Sequence, residues 1–101
     1  MSKHGYVCIL ASKRRGTLYI GVTSRPAARI AAHRAGTGSA FVRRWRIRDL
    51  VYLEAHERIA DALAREKAMK LWKRVWKIEL IESVILQWRD LWPEFVDLPY
   101  E

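Results

Sequence analysis

The sequence predicts an α+β domain: a small three-stranded antiparallel sheet flanked by helices, in the order strand, strand, helix, strand, helix, helix. Three observations predict it. Two β-prone runs, residues 6–10 and 17–22, are separated by a short polar segment closing on Gly16, the pattern of a hairpin. A third β-prone run, 50–53, follows a helical stretch. Apolar residues at helical spacing then dominate residues 57–83.

The first run, Tyr-Val-Cys-Ile-Leu, lacks clean alternation, as expected of a strand covered on both faces. After the second run, Thr23 or Ser24 offers a helix N-cap, and Pro26 falls in the first turn, where its missing N–H costs little. A helix over about residues 25–35 ends at Gly36 and Gly38, and 37–39 reads as mobile. A long helix is expected over about 57–72 and another over about 74–83. A short final turn at 88–92 precedes Pro93. Trp72 and Trp76, four apart, are expected to pack in the core with Lys73 and Lys77 outside.

The 101 residues have the length of one domain, 1–101, and half are apolar, enough for a core. Nineteen Lys and Arg against eleven Asp and Glu leave a net charge of +8. Such a field suits nucleic acid, an anionic membrane surface or acidic proteins. The single cysteine, Cys8, excludes an internal disulfide framework and a cysteine-based zinc site. No apolar run approaches the roughly 20 residues of a bilayer span, and the N-terminus lacks the form of a secretory signal. A cytoplasmic domain with an anionic partner is the expectation; its oligomeric state is not encoded in any motif.

Particular residues then invite chemistry. Arg29 and His33, four apart on one helix face, would cradle a phosphate oxygen or simply face solvent. Glu66 falls on the same arc as Ile59, Ala62, Leu63 and Met69, where a carboxylate needs a partner. That partner is either a divalent cation or Lys70 at i+4. Tyr19 precedes Gly21 in a strand, and a strand glycine marks close approach of another group. Its alternative is a half-buried sheet residue. Arg43, Arg44, Trp45, Arg46 and Arg48 interleave cations with an aromatic ring, fitting phosphate contact and base stacking, or a solvated loop. Cys8 reads as a small buried hydrophobe, with a reactive thiol as the alternative. Tyr6 shares its strand face.

In this order and spacing, the residues resemble the GIY-YIG nuclease family, especially its small single-domain bacterial members. Residues 6–10 take the place of the first motif. Ten residues, 9–18, then separate Cys8 from Tyr19-Ile20-Gly21, which matches the second letter for letter. Gly21-Val22-Thr23-Ser24, Arg29-Ile30, His33, Leu50-Val51-Tyr52, Ala64-Arg65-Glu66-Lys67 and Trp88-Arg89-Asp90-Leu91 continue the likeness. The resemblance implies a metal-dependent endonuclease acting on nucleic acid, DNA ahead of RNA, with Mg²⁺ or Mn²⁺. Tyr19 would help activate the attacking water, Arg29 would stabilise phosphate charge, His33 would position or transfer a proton, and Glu66 would hold the cation.

Two positions depart from the pattern. Cys8 stands where the first motif ends in tyrosine. Ile85-Leu86 stands where small relatives carry Asn-Pro, and the chain has no asparagine. Cys8, Tyr6 and Ile85 therefore mark degenerate motif positions, and a nucleic-acid-binding domain with lost or weak cleavage is the alternative function. A third class, a protein-interaction subunit anchored by exposed tryptophans, is permitted by the five Trp residues.

Overall fold

The computed structural model describes residues 4–36 and 40–95, with the side chains of all of these except His33, Glu94 and Phe95. The expected mobile segment 37–39 lies outside the described residues. Strands β1 (Gly5–Ala11), β2 (Leu18–Thr23) and β3 (Asp49–His56) form one antiparallel sheet in the order β2-β1-β3. Helices α1 (Pro26–Arg34) and α2 (Ala40–Arg44) lie between β2 and β3 in the chain. Helices α3 (Ile59–Lys70), α4 (Arg74–Val84) and α5 (Trp92–Phe95) follow β3. The predicted order holds, with the short α2 and α5 added and β3 running longer than expected.

The central strand explains its own sequence. All seven residues of β1 are buried, which a run with apolar side chains on both faces allows. Register with β2 pairs Tyr6 with Thr23, Cys8 with Gly21 and Leu10 with Tyr19. Tyr6, Cys8, Tyr19 and Gly21 therefore share one face of the sheet. The core gathers β1 with Ile30 of α1, Val42 of α2, Ala62 and Met69 of α3, and Ile81 of α4.

The ends of α1 follow the sequence signals. Thr23 Oγ1 accepts the Arg25 N–H at 2.9 Å, Pro26 opens the helix, and Gly36 takes a left-handed φ of 81° just beyond its end. The chain's end is locked back onto this region. Asp90 accepts from the Arg34 guanidinium at 2.6 Å and from the backbone N–H groups of Leu50 and Trp92 at 2.9 and 3.0 Å. The Trp-Arg-Asp-Leu ending is thus a clasp joining α1, β3 and α5.

Two packing expectations are corrected. Trp76 is 46% exposed rather than in the core, and Leu63 is 45% exposed although Ala62 and Met69 beside it are buried. Trp72 lies in the turn between α3 and α4 while Trp76 is on α4, so the two do not share one helix face and their spacing does not place them together in the core. Trp72 does pack against the core, with the Arg65 guanidinium 5.0 Å from its ring.

Candidate active site

Tyr19 and Arg29 are ten residues apart in the chain and meet in space. The Arg29 Nη2–H donates to the Tyr19 hydroxyl oxygen at 3.4 Å, a long bond between an exposed guanidinium and a half-buried phenol. Gly21 lets the phenol lie where it does. A Cβ built at Gly21 would sit 3.1 Å from Tyr19 Cε1, so any side chain there would push the ring away. The sequence reading of a strand glycine as a place of close approach is met by the tyrosine two residues earlier.

Cys8 lies opposite Gly21, its thiol donating to the Gly21 carbonyl at 3.6 Å. Burial pushes the thiol up to about 11, Arg29 pulls it down, and Glu66 pushes it up again. The thiol is protonated at neutral pH, as expected of a small buried hydrophobe rather than a nucleophile or a metal ligand. Its electrostatics also locate the site: charges from α1 and α3 both reach the strand residue next to Gly21.

Glu66 presents a carboxylate that is 17% exposed, with Lys70 Nζ 3.7 Å away at i+4. That pair is longer than a hydrogen bond, and Lys70 is largely in solvent. His33 stands one turn beyond Arg29 on α1, but its side chain lies outside the described set. Among the described residues there is no group of three His, Cys, Asp or Glu able to hold a metal ion. One shielded carboxylate fits Mg²⁺ or Mn²⁺, which rely on water and substrate phosphate for the remaining positions.

The degenerate positions are structural. Tyr6 is buried on the same sheet face as Cys8, two residue steps along β1 and opposite Thr23. Ile85 is 4% exposed at the C-terminal end of α4 and belongs to the core. No polar side chain comes to the site from position 85.

The basic–aromatic stretch folds as α2 and the turn after it. Phe41 lies 6.4 Å from the Tyr19 ring, and Trp45 6.4 Å from Phe41, with the Arg44 guanidinium 5.7 Å from the Trp45 ring. Phe41, 47% exposed, was not among the candidates; its signal was its place at the head of this stretch. Beside it, Arg34, Arg43, Arg46 and Arg48 line a cleft of about 210 Å³. Arg34 is the member already held, by Asp90, while Arg43 reaches the Gly36 carbonyl at 3.5 Å.

A second charged cluster lies on β3 and α3. Glu54 accepts from the Tyr52 hydroxyl at 2.6 Å and from Arg65 at 3.1 and 3.4 Å, and it bonds His56 at 2.6 Å. Burial alone would raise its carboxyl; these donors outweigh it and hold the group below the usual value. Tyr52 is pushed up to about 12, first by burial and then by Glu54. Spacing gave no sign of this cluster, since its partners come from two elements.

The comparisons with known proteins agree with the geometry. Residues 4–79 match the family model of the GIY-YIG catalytic domain. The chain is 39% identical over 83 residues to a UPF0213 protein of Staphylococcus haemolyticus, covering 82% of this chain and 99% of that one. It is 36% identical over 75 residues to a UPF0213 protein of Pseudomonas aeruginosa, covering 74% and 72%. A UPF0213 protein of Staphylococcus aureus is 36% identical over 68 residues, covering 67% and 83%. No solved structure matches. Among the described residues, no helix is long and apolar enough to cross a membrane. With Tyr19, Gly21, Arg29 and Glu66 all inside the matched span, the chain belongs to the GIY-YIG catalytic-domain family, a nuclease-type domain.

Proposed function

We propose that the protein is a metal-dependent endonuclease that hydrolyses phosphodiester bonds of nucleic acid, DNA ahead of RNA. The observation that carries this reading is the meeting of the Tyr19 phenol and the Arg29 guanidinium at 3.4 Å, over a thiol that also feels Glu66. Glu66 would hold Mg²⁺ or Mn²⁺, which supplies Lewis acidity at the phosphate oxygens. Tyr19, after giving up its own proton to solvent, takes the proton of the attacking water as the phenolate. Arg29 sets a fixed positive charge beside that phenol oxygen and turns its remaining donors to the phosphate, where charge grows in the transition state. His33 assists in orienting the phosphate or moving a proton.

The track from Tyr19 through Phe41 to Trp45, flanked by the arginine-lined cleft, supports nucleic acid as the substrate. Phosphates would meet Arg43, Arg46 and Arg48, while exposed rings take bases or sugars. Nicking of supercoiled plasmid in Mg²⁺ or Mn²⁺ tests the reading. Tyr19→Phe is expected to lower the rate by about 10²–10⁴-fold, and Arg29→Ala by about 10²–10³-fold. Nicking at the wild-type rate in both variants would overturn it.

A second reading has an observation of its own. Cys8, buried and protonated, stands where the first motif ends in tyrosine, and Tyr6 starts two residue steps away along the strand. On this reading the protein binds nucleic acid without efficient cleavage. Salt-sensitive binding with no nicking in either metal would select it.

A further inference from the structure

The hairpin between β1 and β2 and the start of α4 enclose a cleft of about 480 Å³, lined by Ser12, Lys13, Gly16, Thr17, Leu18, Arg74 and Lys77. Three cations line it and no carboxylate does. Arg74 is fixed in place by donating to the carbonyls of Arg15 and Gly16. Carbonyls carry no net charge, so this guanidinium is held without being neutralised. The nearby Glu82 is already met by Arg15 at 3.0 Å and by the Trp88 indole N–H at 2.6 Å. Glu82 is thus committed to Arg15 and Trp88 rather than to the cations of the cleft.

Its place is distinct from the candidate active site. Leu18 lines the cleft and alternates with Tyr19 along β2, so the two side chains point to opposite faces of the sheet. Around the α4 surface from Lys77, the Trp76 ring is 46% exposed, with Lys73 Nζ 5.5 Å from its centroid. Trp76 also borders a groove with Trp72, Glu79, Leu80 and Ser83, where Glu79 is the one acid. A cationic cleft and, on the residue of α4 next to its Lys77, a half-exposed ring with Lys73 over it have the chemistry of a single-strand platform. The cations would follow the backbone, and the ring would stack an unpaired base once that lysine swings to a phosphate.

We propose that the hairpin–α4 face is a second nucleic-acid site, which takes single-stranded nucleic acid with phosphates at Lys13, Arg74 and Lys77 and a base on Trp76. The proposal rests on the nucleic-acid reading above for the class of ligand, and it does not rest on catalysis. Duplex has its bases paired and stacked, so it would engage the lysines but not the ring.

The test is fluorescence anisotropy of labelled oligothymidylate over a salt series, with the full chain and two variants. Lys13→Ala/Lys77→Ala should weaken binding and flatten the log–log salt dependence by about 1.4, from about 0.7 per phosphate contact on single strands. Trp76→Ala should weaken binding by about fivefold or more, as for loss of one stacked base. Unchanged affinity and slope in the double-lysine variant would overturn the site. Loss in that variant with none in Trp76→Ala would overturn the single-strand assignment. Plasmid nicking, read in parallel, separates the two proposals. Nicking with unaltered binding in both variants leaves the catalytic reading and removes this site, whereas the expected binding losses without nicking do the reverse.

Discussion

Glu54 and Glu66 are both mostly shielded carboxylates in a protein of net charge +8, yet their surroundings differ in kind. Glu54 is bonded by Tyr52, His56 and Arg65 at 2.6 to 3.4 Å, so its acceptor capacity is used within the fold. Glu66 has one ion pair among the described residues, at 3.7 Å, to a lysine that is mostly in solvent. A carboxylate saturated by protein donors is part of the architecture. One that is shielded but sparsely bonded has acceptor capacity left over, which the proposed cation would use. Asp90 falls with Glu54: it closes the Arg34, Leu50 and Trp92 clasp.

Stability measurements can break or sharpen this contrast. Asp90→Ala removes three hydrogen bonds on one carboxylate, and the expected loss in urea unfolding is about 3 kcal/mol. A loss under about 1 kcal/mol would mean that the clasp does not hold the chain's end. Glu54→Gln should cost about 2 kcal/mol by weakening charge-assisted bonds to Arg65 and its neighbours. Glu66→Gln, which gives up only an exposed i,i+4 pair, should stay within about 0.5 kcal/mol of wild type. Equal losses in the Glu54 and Glu66 variants would erase the distinction.

The pH dependence follows from the same cluster. Glu54 titrates lower in the folded protein than its ordinary value of 4.5 because its donors outweigh burial. The unfolded chain therefore binds that proton first as the solution is acidified. The stabilisation is complete above the ordinary value and drains away as pH falls through the folded one. Glu54→Gln should flatten the acid limb of the stability profile, and an unaltered limb would place the acid sensitivity elsewhere.

Smaller effects bear on the tyrosine. A methyl at Gly21 would meet the Tyr19 ring at 3.1 Å, so Gly21→Ala should shift the phenol by a few tenths of an ångström and lower any nicking rate more than it lowers stability. Cys8, buried and raised to about 11, should react with a thiol reagent only at the rate of unfolding. Rapid modification of the folded protein would contradict its buried place opposite Gly21.

The sequence made these structures legible to different depths. The unbroken apolar run of β1, Pro26 at the head of α1 and Gly36 beyond its end are local signals, and each element formed where its signal stands. The Tyr19 to Gly21 tripeptide with Arg29 was legible because strand and helix follow one another directly. Partners from distant segments were not. Arg34 and Asp90 are 56 residues apart and Arg15 and Glu82 are 67 apart, and no periodicity encodes such pairs. The Trp72 and Trp76 spacing assumed one continuous helix, whereas Trp72 lies in the turn between α3 and α4 and α4 buries Ile81 instead of Trp76. The cationic cleft at the hairpin depends on α4 folding back against residues 15 and 16, which only the tertiary structure supplies.

The most direct measurement is the metal dependence of plasmid nicking by wild type and Glu66→Ala, compared at equal fractions of folded protein. The account predicts wild-type nicking that rises and saturates with Mg²⁺ or Mn²⁺, and a variant reduced to background while its unfolding curve stays close to wild type. A folded Glu66→Ala protein that nicks with the wild-type rate and metal response would contradict it.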